Sequence, residues 1–171
     1  MPIVVKDYPQ TSVVNMPPAF FGRVVDTIPQ AHYLKLEDPP TPTKRTAIKD
    51  VIGDKMSIFG GLGGVFLLDE LRRGSSGAMT GFAYPEVLVS IYNYVMKNDI
   101  ERARNIFYSW LPLIRYENSA GIGLAIRKEL MKHRGFIETA DVRSPTASID
   151  IRTKEELNDL LNALDTNITD I

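Results

Sequence analysis

The stretch that decides the fold is His32-Tyr33-Leu34-Lys35-Leu36-Glu37-Asp38, which is followed by Pro39-Pro40. A short apolar and aromatic run that ends at prolines predicts a buried strand rather than a helix. Lys35 lies inside this run, and two interpretations are open for it. Its ammonium group can reach solvent at the strand end, or it can be held in a poorly hydrated site that disfavours the charged form. The second interpretation would make Lys35 a nucleophilic amine of the kind that forms Schiff bases.

Apolar runs and helical patterns alternate on both sides of this strand. Strands are predicted at residues 3–6, 32–36, 56–59 and within 75–80, and the helices between them at residues 17–28, 43–51 and 65–73. In the last of these helices, Asp69 and Glu70 are expected to face outward. Strands that alternate with helices at this spacing predict a parallel α/β sheet.

The second half of the chain has a different character. Long amphipathic patterns predict helices at residues 85–97, 100–116 and 122–134, and a capping box at 153–156 predicts a last helix that ends near Leu164. The tail, residues 165–171, is expected to fray. We therefore predict a partial barrel of four βα units at residues 1–83, followed by the last barrel helix and a helical extension at residues 84–171.

The composition excludes several classes of function. The chain has 171 residues, 44% of them apolar, and a net charge of −1, which indicates a globular protein without a nucleic-acid or membrane surface. With no cysteine and only two histidines, His32 and His133, no disulfide, metal site or cofactor is predicted. No stretch is apolar enough to span a membrane and no signal-peptide pattern is visible, so a cytoplasmic location is expected.

The glycine-rich segment Gly60-Gly61-Leu62-Gly63-Gly64 stands between a predicted strand and a predicted helix. That context suits an anion site, but the spacing matches neither common nucleotide-binding fingerprint. Two interpretations stay open. The glycines can serve a tight turn that needs unusual dihedral angles, or their backbone amides can face a small carboxylate substrate.

Taken together, several ordered motifs resemble the dihydrodipicolinate synthase / N-acetylneuraminate lyase family of Schiff-base aldolases. They are Val4-Val5-Lys6-Asp7-Tyr8-Pro9, Leu34-Lys35-Leu36-Glu37-Asp38, Phe59-Gly60-Gly61, Arg73-Gly74-Ser75-Ser76-Gly77-Ala78-Met79-Thr80-Gly81, Ala125-Ile126-Arg127-Lys128-Glu129-Leu130, Arg134-Gly135 and Val142-Arg143-Ser144-Pro145. The resemblance covers essentially the whole chain, and it corresponds to the C-terminal half of that family.

The resemblance implies a fold and a chemistry. The fold is the C-terminal half of a (β/α)8 TIM barrel, strands five to eight, with a helical C-terminal extension. Lys35 matches the lysine of strand six that forms an imine with a 2-oxo acid such as pyruvate. Gly61 and Met79 match positions that line the substrate pocket. The implied partner is a small 2-oxo acid, and the implied assembly of the full-length protein is a homo-oligomer.

The chain departs from the family pattern after its first strand. The family has a tyrosine that relays protons to and from the imine intermediate, and Lys6 stands at its place. Lys6 can assist Lys35 by like-charge repulsion, bind a substrate carboxylate, or be a solvated strand end. Tyr8, two residues on, is a candidate substrate-binding residue on the same strand face. Glu37 and Asp38 can serve acid–base chemistry, although carboxylates at strand ends commonly cap loops.

A second departure concerns length. A barrel of this kind takes about 250 residues, and the first four βα units have no counterpart in this chain. We therefore expect an incomplete gene product or fragment that is inactive or poorly soluble by itself. Two functions are carried forward: a Schiff-base lyase or aldolase that acts on a 2-oxo acid, and a non-catalytic homologue that acts as a binding module.

Overall fold

The computed structural model describes residues 1–164. The tail that was expected to fray, residues 165–171, lies outside the described residues. The chain folds into two compact units, one formed by Met1–Thr80 and the other by the residues from Gly81 onward. The division predicted at residues 83 and 84 from the change in sequence pattern stays a prediction.

The first unit is an α/β structure built on a parallel sheet. Its elements are, in order, β1 (Ile3–Asp7), α1 (Pro9–Ser12), α2 (Pro18–Thr27), β2 (Ala31–Leu36), α3 (Thr41–Ile52), β3 (Ser57–Gly60), a 3-10 turn (Leu62–Gly64), α4 (Leu67–Arg72) and β4 (Gly77–Ala78). The strands follow the order β1-β2-β3-β4, and each pair is parallel. The predicted parallel α/β sheet is therefore confirmed.

Strand β2 has two different faces, as its alternating sequence requires. Leu34 and Leu36 are fully buried, and they join Phe21 of α2 and Ile48 of α3 in one apolar cluster. Burial of each such side chain contributes about 2 kcal/mol. Because successive strand residues point to opposite faces, Lys35 points away from this cluster. The helices and the core thus fix the backbone on which Lys35 is presented.

The helix after the glycine-rich segment is shorter than predicted. It begins at Leu67, after a separate 3-10 turn at Leu62–Gly64, rather than at residue 65. Asp69 is exposed as expected, but Glu70 is only 2% exposed, so the prediction that it faces outward is wrong. Glu70 is drawn inward because its carboxylate accepts a hydrogen bond from the buried hydroxyl of Thr41.

Over its described residues, the regular secondary structure of the second unit consists of helices. It contains α5 (Pro85–Met96), α6 (Ile100–Glu117), α7 (Gly123–His133) and α8 (Ile151–Ala163). Helix α8 begins earlier than its predicted capping box, because the Asp150 side chain accepts a hydrogen bond from the Thr153 amide at 2.7 Å. Within residues 1–164, none of the helices combines the length and apolar character of a membrane-spanning segment.

A buried acid organises the start of the second unit. The carboxylate of Glu117, on α6, accepts a hydrogen bond from the Ala83 amide at 2.8 Å and pairs with Arg127 of α7 at 2.5 Å. Burial raises the pKa of Glu117, and the bonds from Arg127 and Ala83 oppose that rise. Arg127 also donates to the Gly81 carbonyl oxygen at 2.8 Å, so one ion pair ties α6 and α7 to residues 81–83.

Candidate active site

Lys6 and Lys35 are neighbours at the carboxyl ends of adjacent strands. The parallel register of β1 and β2 pairs Lys6 with Lys35 directly. Both ammonium groups contact one oxygen, Oε2 of Glu37, at 3.2 Å from Lys6 and 3.3 Å from Lys35. The Lys35 side chain is 23% exposed and the Lys6 side chain 51% exposed. The structure thus brings together the two lysines that the sequence singled out and adds a carboxylate between them.

Glu37 is the third charged group of this site, and the sequence alone leaves its role open. It is 7% exposed, and its second oxygen, Oε1, accepts a hydrogen bond from the Leu62 amide at 3.2 Å. A carboxylate held this way is fixed at both oxygens. The signal that could have identified it is its spacing: residues two apart on an extended chain point to the same face, so Glu37 had to accompany Lys35.

The glycine-rich segment serves the protein's own carboxylates. A Cβ at Gly61 would overlap the carboxyl group of Glu37, and a Cβ at Gly60 would overlap that of Glu70. Leu62, Gly63 and Gly64 adopt positive φ angles of 47°, 67° and 87°, so the segment is a tight turn, as one interpretation had it. The backbone amide of this turn that donates to a carboxylate, that of Leu62, binds Glu37.

The predicted substrate-binding residues lie at the same edge of the sheet. The Lys6 ammonium lies 4.8 Å from the centre of the Tyr8 ring, which is a cation–π contact. Met79 follows β4, and its amide donates to the Gly60 carbonyl oxygen at 2.9 Å. Gly61 adjoins Glu37, as described above. The roles of these residues in binding a substrate stay predictions.

A buried ion cluster holds the ends of β1 and β2 together. Lys44 of α3 contacts Asp7 at 2.7 Å and Asp38 at 2.6 Å, and the Asp7 side chain is fully buried. Burial raises the pKa of Asp7, an effect that Lys44 opposes. Burial also disfavours the charged form of Lys44, but the bonds to Asp38 and Asp7 outweigh it and raise the Lys44 pKa. Asp7 and Asp38 directly adjoin Lys6 and Glu37 in sequence, so this cluster anchors the strand ends that carry the site.

A second carboxyl group, that of Glu70, lies beside the site and is largely uncharged below neutral pH. Burial raises its pKa to about 7, the hydrogen bond from Thr41 opposes the rise, and the nearby carboxylates of Asp69 and Glu37 add to it. Thr41 donates to Oε1 of Glu70 at 2.5 Å, and Oε2 has no hydrogen-bond partner among residues 1–164. Thr41 and Glu70 lie on one side of the Gly60-Gly61 turn, and Glu37 lies on the other side.

The chemistry available at this edge is that of an amine beside a carboxylate. Lys35 can attack a carbonyl carbon once its amine is free, because a nitrogen with a lone pair is a good nucleophile. Glu37 can hold or release a proton beside it, within reach of an atom bound to the Lys35 nitrogen. Ligands of parallel α/β sheets bind at the carboxyl ends of the strands, and these residues lie there.

Comparison with known proteins identifies the family of this chain. The model of the dihydrodipicolinate synthetase family matches residues 1–164. The L-2-keto-3-deoxyarabonate dehydratase of Azospirillum brasilense is 30% identical over 166 residues, which are 96% of this chain and 53% of that protein. The chain therefore spans about half the length of this curated relative.

Solved structures agree in fold. Dihydrodipicolinate synthase from Rhodopseudomonas palustris is 38% identical, with a TM-score of 0.89 over 95% of this chain and 56% of that chain. A prophage protein of the dihydrodipicolinic acid synthase family from Escherichia coli K12, in complex with pyruvate, is 16% identical with a TM-score of 0.82 over 95% and 55% of the two chains. This second likeness shows the fold alone. With the family model matched over residues 1–164, this chain belongs to the dihydrodipicolinate synthetase family.

Proposed function

We propose that this chain carries the imine-forming half of a Schiff-base lyase that acts on a 2-oxo acid through Lys35. Its four strands then correspond to strands five to eight of a (β/α)8 barrel. Family membership supports the class of enzyme, and the share of about 55% of the solved relatives' length supports half a barrel. The order of the sequence motifs supports strands five to eight as that half.

The observation that carries the proposal is the shared carboxylate oxygen, Oε2 of Glu37, which lies within 3.3 Å of both lysine nitrogens. Lys35 passes a proton to Glu37, and its neutral amine adds to C2 of the 2-oxo acid. Loss of water gives an imine, which takes the proton back from Glu37 and becomes a protonated imine. The imine withdraws electrons from C3, so a C3 proton becomes acidic. Glu37 removes that proton and leaves an enamine, and it can return the proton in the reverse step.

We further propose that the reaction is a dehydration of a 2-keto-3-deoxy acid. In that reaction Glu37 takes the C3 proton and passes it to the C4 hydroxyl group, which leaves as water, and a C3–C4 double bond conjugated to the imine forms. Two observations support it. The curated relative is named as a 2-keto-3-deoxyarabonate dehydratase, and Lys6, which stands at the position of the family tyrosine, contacts Glu37 at 3.2 Å. Aldol condensation and cleavage use the same enamine and are the alternatives for this step.

Lys6 has the geometry to bind the substrate carboxylate. Its ammonium is half exposed and is only partly neutralised, because Glu37 is shared with Lys35. The net charge of the three groups is then positive, which suits an anionic substrate. Tyr8, Gly61 and Met79 would complete the wall around the C1 carboxylate and the C3 carbon.

Proton exchange at C3 of pyruvate tests the proposal and separates the two roles. In deuterated water the wild-type chain should replace the methyl protons of pyruvate with deuterium, as followed by NMR. Lys35→Met should abolish the exchange. Glu37→Gln should slow it on the order of a hundredfold, the usual contribution of a general base, while the imine can still be trapped with borohydride. Asp50→Asn, which changes an exposed carboxylate on α3, is the matched control and should leave the rate unchanged.

Two other outcomes have a definite meaning. A folded chain that neither exchanges protons nor forms an imine with any of a panel of 2-oxo acids would favour the non-catalytic binding module. Imine formation without turnover of a 2-keto-3-deoxy acid would agree with the expectation that the chain is inactive by itself, which stays a prediction. Assembly into a homo-oligomer likewise stays a prediction, and sedimentation would measure it.

A further inference from the structure

A chain of contacts runs from the interior of the first unit to the lysine pair. It begins at Thr41, whose hydroxyl is fully buried and donates to Oε1 of Glu70 at 2.5 Å. Glu70 is 2% exposed, and its Oε2 occupies the space where a side chain at Gly60 would begin. The carboxyl group of Glu70 is therefore packed against the backbone of the turn and held there from α3.

The same turn holds Glu37 on its other side. The Glu37 carboxyl group fills the space beside Gly61, and the next amide, that of Leu62, donates to Glu37 Oε1. Because successive residues of an extended chain face opposite sides, the two carboxyl groups flank the Gly60-Gly61 turn from opposite directions. A shift of the turn away from Glu70 would move the Leu62 amide and, with it, the carboxylate that contacts both lysines.

We propose that Glu70, held by Thr41, is a positioning residue for the imine site: it fixes the Gly60-Gly61 turn that presents Glu37 to Lys6 and Lys35. This inference rests on the proposed function for its effect on catalysis. Its effect on the turn does not depend on that function. The side chains that participate all lie in the first unit, and none of them except Glu37 contacts either lysine of the pair.

The environment of Glu70 also makes its hold on the Gly60-Gly61 turn sensitive to pH. The ionisable groups that face it are Glu37, at the end of β2, and Asp69, on its own helix. From α3 it meets the Thr41 hydroxyl, and from β3 it meets the backbone of Gly60. Above neutral pH an ionised Glu70 adds a negative charge beside Glu37. That charge repels the Glu37 carboxylate across the turn and works against its position beside the lysines.

The first test follows the turn itself. Hydrogen exchange of the Leu62 amide should become about tenfold faster in Glu70→Ala and in Thr41→Val than in the wild type, since about 1.4 kcal/mol of turn stability corresponds to tenfold. Glu70→Gln keeps the size of the side chain and an acceptor for Thr41, so it should restore the wild-type rate. Amides of α6 serve as the internal reference. Unchanged Leu62 exchange in both Glu70→Ala and Thr41→Val would overturn the proposal.

The second test follows catalysis. Glu70→Ala should slow C3 exchange of pyruvate more than it slows imine trapping, because the displaced group is the base. The rate of Glu70→Gln relative to wild type should rise from about pH 6 to about pH 8, because Glu70 ionises over that range and Gln does not. A ratio that does not change with pH would overturn the pH-linked part of the proposal. A wild-type chain with no C3 exchange would refute the proposed function, and the Leu62 amide would still decide the positioning role.

Discussion

Replacing Glu70 with Gln should stabilise the chain in a pH-dependent way. The pKa of Glu70 is about 7 in the folded chain against an ordinary value of 4.5, so between these values the folded state binds more protons than the unfolded state. Stability therefore falls as pH rises from about 4.5 to about 7, and the loss is complete above that range. The difference between the two pKa values corresponds to about 3 kcal/mol. Gln cannot ionise, so Glu70→Gln should gain about that much over wild type across this range.

Urea denaturation followed by circular dichroism, from about pH 5 to about pH 8, measures this difference. Other buried acids with a raised pKa, such as Asp7, also lower the stability of the chain as pH rises. They are present in both proteins, so their effect cancels in the comparison. Asp50→Asn changes an exposed carboxylate on α3 that does not act on Glu70, and it should leave the pH slope intact. A difference between Glu70→Gln and wild type that is constant over this pH range would refute the assignment of Glu70 as a buried acid.

Three further predictions concern other groups. Lys6→Met should slow borohydride trapping of the imine at neutral pH by about twofold to fivefold, since an exposed charge contributes up to about 1 kcal/mol; an unchanged pH profile of trapping would remove Lys6 from this step. Gly61→Ala should destabilise the chain by about 1–3 kcal/mol and displace Glu37, because a Cβ there overlaps that carboxyl group; wild-type urea midpoints and C3 exchange would contradict this. Arg127→Met should lower the free energy of unfolding by about 2 kcal/mol, because it leaves Glu117 buried without its ion-pair partner. Urea denaturation followed by the fluorescence of the single tryptophan measures this loss, and an unchanged midpoint would show that the ion pair does not stabilise the chain.

Much of the fold could be predicted because its signals are local. The strand that carries Lys35 is an apolar run between prolines, and the structure places it at Ala31–Leu36. Helix α5 was predicted at residues 85–97 from its spacing of apolar residues and is found at Pro85–Met96. Alternation of these elements determined the parallel sheet, since parallel strands need a crossover helix between them.

The contacts of the candidate site depend on signals that are not local. Glu70 and Thr41 are 29 residues apart, and neither segment contains a pattern that predicts their contact. Glu70 is therefore expected from the sequence to face solvent, like Asp69 beside it. The position of Glu37 beside Lys35 could be predicted from their spacing of two residues. Its importance became visible only when the register of β1 and β2 placed Lys6 within reach of the same oxygen.

The most direct test of the central claim is the location of the imine. The folded chain is incubated with pyruvate, reduced with borohydride, digested and analysed by mass spectrometry. We predict an adduct on Lys35, greatly reduced adduct in Lys35→Met, and no comparable adduct on Lys6, which is more exposed but lies one strand away from the proposed nucleophile. An adduct on Lys6 in place of Lys35, or no adduct with any of a panel of 2-oxo acids, would contradict the claim.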